Sequence, residues 1–263
     1  MKWIRLCVIT GLMLFAVQCT AVTPVPSVVK YVQPPNTDWS YSLSSEIKQP
    51  VTGAPPIYQS LMADDWECNA TGTVTDIHWW GSYWPHYDGE YYAPYSDGRP
   101  DSPNGGITGF NITIWDDVPK SANNPDSHPG NKRTEIYIDG NPEVADAQSP
   151  FQITDGSHVR TVYRYDVNLS PNDQFEQVYG TINWISIQAI IPGNPDKQWG
   201  WHETTVIQND RSVMRTGTSE EWTYPCGGHD MAFALTTVPE PAGILALLSG
   251  LGGILGVAFR RRK

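Results

Sequence analysis

The densest run of side chains able to do chemistry is His78-Trp79-Trp80-Gly81-Ser82-Tyr83-Trp84, with Tyr91 and Tyr92 close behind. Aromatic faces bind the C–H surfaces of sugars through apolar and π contact, so Trp79, Trp80, Tyr83, Trp84, Tyr91 and Tyr92 are the candidates for a glycan-binding platform. Successive side chains on a strand point to opposite faces, so at least one of Trp79 and Trp80 must enter the core. The competing reading is that most of these rings fill a large interior. Downstream, Asp97, Asp101 and Asn104 offer oxygen ligands that suit calcium, although the loop lacks the spacing and terminal Glu of an EF-hand. A turn-rich loop without a metal explains the same residues.

Signs of catalysis are sparse. The six histidines are scattered, and there is no His-Glu-x-x-His run, no Gly-x-Ser-x-Gly elbow and no phosphate loop. Glu203, inside Trp199-Gly200-Trp201-His202-Glu203, has an aromatic setting that would raise its pKa. A glycosidase-type carboxylate pair is a property of spatial separation, which the order of residues does not reveal. The expectation is therefore a non-enzymatic protein with no cofactor beyond the calcium alternative. A secreted polysaccharide-active enzyme of glycosidase type is the second reading. The two part on whether carboxylates converge in a concave cleft.

Period-two alternation dominates the region that must position these groups. Phe110, Ile112 and Ile114 alternate with Asn111 and Thr113; Ile185, Ile187, Ala189 and Ile191 alternate with Ser186 and Gln188. Tyr163, Tyr165 and Val167 share one face, Arg164 and Asp166 the other, and Met231, Phe233 and Leu235 repeat the pattern. Such runs, broken by Gly, Pro, Asn and Asp clusters, predict strands with one buried face. Residues 22–57 carry seven prolines and read as a lead-in, either ahead of the domain or its first part, with a strand or two near Trp39 to Ile47. The fold class predicted is all-β, an antiparallel β-sandwich of jelly-roll type over residues 58–236.

Both ends read as addresses. Lys2 and Arg5, the apolar run Leu6 to Val17 and small residues before Val22 form a secretory signal peptide over residues 1–21. Lipidation of Cys19 is the weaker alternative, because Gln18 stands where a small residue is wanted. At the other end, Pro239, Glu240 and Pro241 precede an uncharged stretch from Ala242 to Phe259, then Arg260, Arg261, Arg262 and Lys263. Eighteen residues at about 1.5 Å each reach roughly 27 Å, enough for a transmembrane helix with its cations left in the cytoplasm.

Six of the 17 cations and one of the 28 acidic residues lie in these end segments, which leaves 11 against 27 and a net charge of −16 between Val22 and Val238. So acidic a domain is a poor partner for nucleic acid or anionic lipid; a neutral glycan, a basic partner or calcium fits better. Acidity for solubility alone is the plainer explanation. After signal removal Cys68 and Cys226 remain, an even pair in an oxidising compartment, and a disulfide between them is expected over two free thiols.

The tail over residues 239–263, with its Pro-Glu-Pro, apolar helix and basic cluster in order, resembles the PEP-CTERM sorting signal of Gram-negative bacteria. That resemblance implies an exosortase-type partner that cuts near Pro239-Glu240-Pro241, an inner-membrane intermediate, and a final place at the cell surface or in the extracellular matrix. The stretch holding Asp64-Asp65-Trp66-Glu67-Cys68, Ile77-His78-Trp79-Trp80, Trp184 to Ala189, Trp199 to His202 and Asp230 to Phe233 looks like a domain of unknown function found in secreted proteins of planctomycetes and related bacteria. That likeness implies no catalytic residue.

Overall fold

The computed structural model describes residues 28–38, 40–49, 58–85, 106–122, 126–145, 149–155, 158–192, 197–225 and 229–237. The signal peptide, the sorting tail, Tyr91, Tyr92, Asp97, Asp101, Asn104 and Cys226 lie outside these residues, so the expectations placed on them meet no structure here.

Long β-branched and aromatic runs build two large sheets. The first has eight strands around β6 (Asp76–Pro85). One edge of β6 pairs with β11 (His158–Asn168), which carries β10 (Phe151–Asp155) and β9 (Glu143–Val144). Its other edge is shared. Asp76 to Trp79 pair with β16 (Phe233–Thr237), which continues to β1 (Val28–Gln33); Gly81 to Pro85 pair with β14 (Lys197–His202), which continues to β2 (Ser42–Ser44). The second sheet has six strands centred on β13 (Ile182–Pro192). On one side stand β7 (Gly109–Val118) and β8 (His128–Asp139); on the other β4 (Tyr58–Glu67), β15 (Val213–Thr216) and β3 (Glu46–Gln49). A small ladder joins β5 (Gly72–Val74) to β12 (Phe175–Gln177).

One detail corrects the expectation of an antiparallel sandwich: the β3–β13 ladder is parallel, whereas the other ladders among the described residues are antiparallel. The lead-in is part of the domain, since β1, β2 and β3 arise from it and complete both sheets.

The core fills the space between the sheets. Phe110, Ile112 and Ile114 of β7, Ile185, Ile187, Ala189 and Ile191 of β13, and Tyr163 and Tyr165 of β11 are all buried in it, as the alternation required. Trp79 stacks on Tyr165 with centroids 5.4 Å apart, and Phe110 meets Trp79 edge-on. Two of the buried indoles find acceptors, with Trp199 Nε1 donating to the Tyr165 hydroxyl (3.0 Å) and Trp201 Nε1 to the Ala232 carbonyl (2.8 Å), whereas the Trp79 Nε1 is buried without one. Each ring removes about 150–250 Å² from water, so these aromatics dominate the burial that holds the sheets together. Gly81 is required by that packing, because a Cβ there would clash with the Trp199 indole.

Candidate functional site

The outer face of the six-stranded sheet carries the most suggestive surface. Along β7 the odd positions Asn111, Thr113 and Trp115 point away from the core while the even ones fill it. Trp115 pairs across the ladder with Trp184 of β13, and its Nε1 donates to Ser186 Oγ (3.0 Å), which fixes the ring on the sheet. Trp184 Nε1 donates to Asp117 Oδ1 (2.8 Å). These rings form a second, smaller apolar cluster with Leu61, Ala63 and Val213.

After β15 the chain turns back on itself. Paired bonds between Met214 and Thr223 (2.7 and 2.8 Å) bring Trp222 over the sheet, edge-on to Trp115 at 5.9 Å. The guanidinium of Arg215 lies 5.3 Å from the Trp115 centroid and 4.8 Å from that of Trp222. Beside it, Arg211 covers Tyr224 at 4.3 Å. Two troughs border this stack. One of about 200 Å³ is lined by Trp115, Arg215, Asn111, Thr113, Gln188 and Lys132. The other, about 490 Å³, is lined by Trp222, Tyr224, Asp126, His128 and Glu221. Apolar ring edges flanked by amides, hydroxyls and charges suit a polar ligand with apolar faces.

Carboxylates do converge elsewhere. Asp64 and Asp65 at the end of β4 meet Asp230 beside Tyr31 and Gln33 of β1. Asp64 Oδ2 accepts the Met231 amide (2.6 Å), and Asp230 Oδ2 accepts the Gln208 amide (2.6 Å). Asp65 accepts the Asn209 side-chain amide, with Asn209 itself at φ 64°. Gln33, oriented by its neighbours, donates to Asp64 Oδ2 (2.9 Å) and accepts from the Tyr31 hydroxyl. Burial pushes Asp65 up to about 8, with the Asn209 bond opposing it, and pushes Asp230 up to about 7. Burial and the neighbouring Asp230 and Asp65 hold Asp64 well above the carboxylate range. All three side chains have 0% exposure. An open cleft of about 380 Å³ lies nearby, lined by Tyr31, Glu67, Asn69, Tyr179 and Asn209, but the carboxylates do not line it.

Glu203 is likewise sealed at 1% exposure, and burial raises its pKa as its aromatic setting suggested. Its Oε2 accepts the Tyr41 amide (3.1 Å) and lies 3.8 Å from His229 Nδ1. His202, buried against Ser42 and the Asn36 carbonyl, is pushed down to about 4 by burial.

The aromatic run separates by parity. Trp79 and Tyr83 are buried in the core and offer no ring to a ligand. Trp80 is half-buried on the opposite face. The side chain of Trp84 lies outside the described residues, as do Tyr91 and Tyr92. Cys68 is buried, and its Sγ lies 3.2 Å from the Ala70 carbonyl; Cys226, its expected disulfide partner, lies outside the described residues. Among those residues no three His, Cys, Asp or Glu side chains are arranged to hold a metal, and no helix is long and apolar enough to cross a membrane. Sequence reasoning missed Trp115, Arg215, Trp222 and Tyr224. The signal was present for Trp115, a large ring at the polar parity of β7. Trp222 and Tyr224 alternate with exposed Glu221 and Thr223 in the same way.

No curated protein and no solved structure matches this chain. A family model does match, over residues 29–236, so nearly the whole described domain is covered by it. The chain belongs to the family of the domain of unknown function DUF7901.

Proposed function

We propose that this is an exported surface or matrix protein that binds polysaccharide on the outer face of its six-stranded sheet and does not cleave it. The observation that carries the reading is the Trp115–Arg215–Trp222 stack between two polar troughs. A sugar ring laid against Trp222 or Tyr224 buries its C–H face, while half-buried Asn111 presents its amide to a hydroxyl. The site has moved from the run around Trp79 to the outward parity of β7 and the returning segment at Trp222.

The converging carboxylates support binding over cleavage. A general acid must come within about 2.6–3.2 Å of the glycosidic oxygen. Asp64, Asp65, Asp230 and Glu203 have essentially no surface through which a sugar chain could make that contact. Their hydrogen bonds instead tie the segments around 208–210 and 230–231 to β4.

Export rests on the two end segments. A signal peptide over 1–21 starts secretion, the helix 242–259 holds the chain in the inner membrane, and an exosortase-type enzyme removes the tail near Pro239-Glu240-Pro241. The two sheets and their aromatic core are compatible with the jelly-roll form of the sandwich.

A glycan array probed with the purified full-length protein, with a reducing-sugar assay on every bound polymer, tests the reading. Binding without release of reducing ends is expected, and Trp222→Ala should weaken it by about tenfold with the far-ultraviolet spectrum unchanged. Failure to retain any polysaccharide, or release of reducing ends, would overturn it.

A further inference from the structure

We infer that Arg215 reads an anionic substituent on the bound sugar, so that the polysaccharide is acidic rather than neutral. This rests on the glycan-binding reading above and names its ligand class.

Among the described arginines, Arg215 and Arg211 have side chains without a hydrogen bond or ion pair, and of these two Arg215 is the half-buried one. Arg133 reaches Asn183 and Asp116, Arg160 donates to the Ser40 carbonyl (3.0 Å), and Arg164 is paired with Asp166 (2.6 Å). Arg215 is half-buried yet forms no hydrogen bond or ion pair within the described residues. Its contacts are the Trp115 and Trp222 rings, and Glu220 is the carboxylate that acts on it electrostatically. Burial lowers its pKa, as a partly desolvated cation without a close counter-charge requires. In a domain with 27 acidic residues against 11 basic ones, a cation left without a carboxylate is poised for one brought from outside.

The geometry suits that ligand. A guanidinium is a planar fork of five donors that matches the two oxygens of a carboxylate, and it stays charged at any physiological pH. Two indole rings restrain its plane before the ligand arrives, so less side-chain freedom is lost on binding. Lys132 adds a second positive charge to the trough, 2.9 Å from Glu135. With Glu135 counted against Lys132 and Arg215, the trough carries a net +1. The −16 of the whole domain does not forbid this, because charges more than about 8 Å apart are largely screened at physiological ionic strength. At about 200 Å³ the trough is smaller than ligand pockets of about 300–1,000 Å³, so it takes one sugar unit of a longer chain.

Carboxylate and sulfate-ester sugars share this chemistry, and polymers with matched backbones separate them. The full-length protein is titrated calorimetrically with polygalacturonate, with the same polymer after carboxyl reduction, and with that reduced polymer after O-sulfation. Binding about 10- to 100-fold tighter to an acidic polymer than to the reduced one is expected, in line with a charge-assisted pair. Which acidic polymer wins identifies the substituent. Arg215→Gln should erase the preference, so that the acidic polymer binds no more tightly than the reduced one. Arg215→Lys, which keeps the charge but not the fork, should lose most of the gain. Equal affinity for the reduced and acidic polymers, or an unchanged preference in Arg215→Gln, overturns the inference and leaves glycan binding standing. Absence of binding to all three, and to every glycan on the array, removes both.

Discussion

Raising the pH from about 6.5 to about 8.5 should loosen this domain, with Asp65 setting a share of the effect alongside Asp64 and Asp230. Burial holds that carboxyl at about 8 against its ordinary 3.8, and Asp230 at about 7. For a carboxyl raised by folding, the folded chain keeps a proton that the unfolded chain has released. The stabilisation is complete below the unfolded value and is lost as pH climbs to the folded one. Each pH unit of that window removes about 1.4 kcal/mol per group. From about 6.5 to about 8, Asp65 accounts for roughly 2 kcal/mol, and Asp230 for a further fraction of one. His202 acts in the opposite sense: held neutral down to about 4, it penalises the fold below its ordinary 6.5 and leaves the alkaline window clear. A fall of about 2–3 kcal/mol corresponds to a Tm lower by about 5–10 °C for a domain of this size. Calorimetric melts at matched ionic strength read it directly. Asp65→Asn keeps an oxygen acceptor for Asn209 and mimics the protonated acid, so its Tm should fall less steeply with pH than the parent's. A Tm that rises across this window, or an Asp65→Asn variant with the parent slope, would show that the buried carboxylates are charged and compensated after all.

Gly81→Ala should destabilise the domain by at least about 1–3 kcal/mol, since the new methyl must displace the buried Trp199 ring. Chemical denaturation within about 0.5 kcal/mol of the parent would refute that packing argument. Changing Glu240 to Ala, or deleting Arg260 to Lys263, should strand the protein in the inner membrane; mass spectrometry finding residues beyond Pro241 in the surface-released form would contradict the sorting scheme. In the exported protein, non-reducing peptide mapping is expected to recover Cys68 joined to Cys226, and recovery of both as free thiols under denaturing conditions would exclude the cross-link.

The class of the fold was legible in the chain because alternation is a local property. Ile185 to Ile191, Phe110 to Ile114 and Met231 to Leu235 each announce which face is buried, whatever partner they later meet. The same logic required one of Trp79 and Trp80 to be internal, and Trp79 is. What alternation leaves open is the identity of the neighbour. Nothing in the order of residues says that β3 runs parallel to β13, or that β6 exchanges β16 for β14 halfway along its edge. Those pairings are settled by long-range closure and by how large rings such as Trp199 fit over Gly81.

The candidate site divides in the same way. Outward placement of Trp115 was readable from its parity with Asn111 and Thr113. Its meeting with Arg215 and Trp222 was not, because those residues lie about a hundred positions away and arrive only through the turn closed by Met214 and Thr223. Likewise the sequence shows Asp64, Asp65 and Asp230 as three ordinary acids. Only the folded chain buries them together, where burial pushes their pKa values up and their oxygens accept the bonds that tie loops to strand.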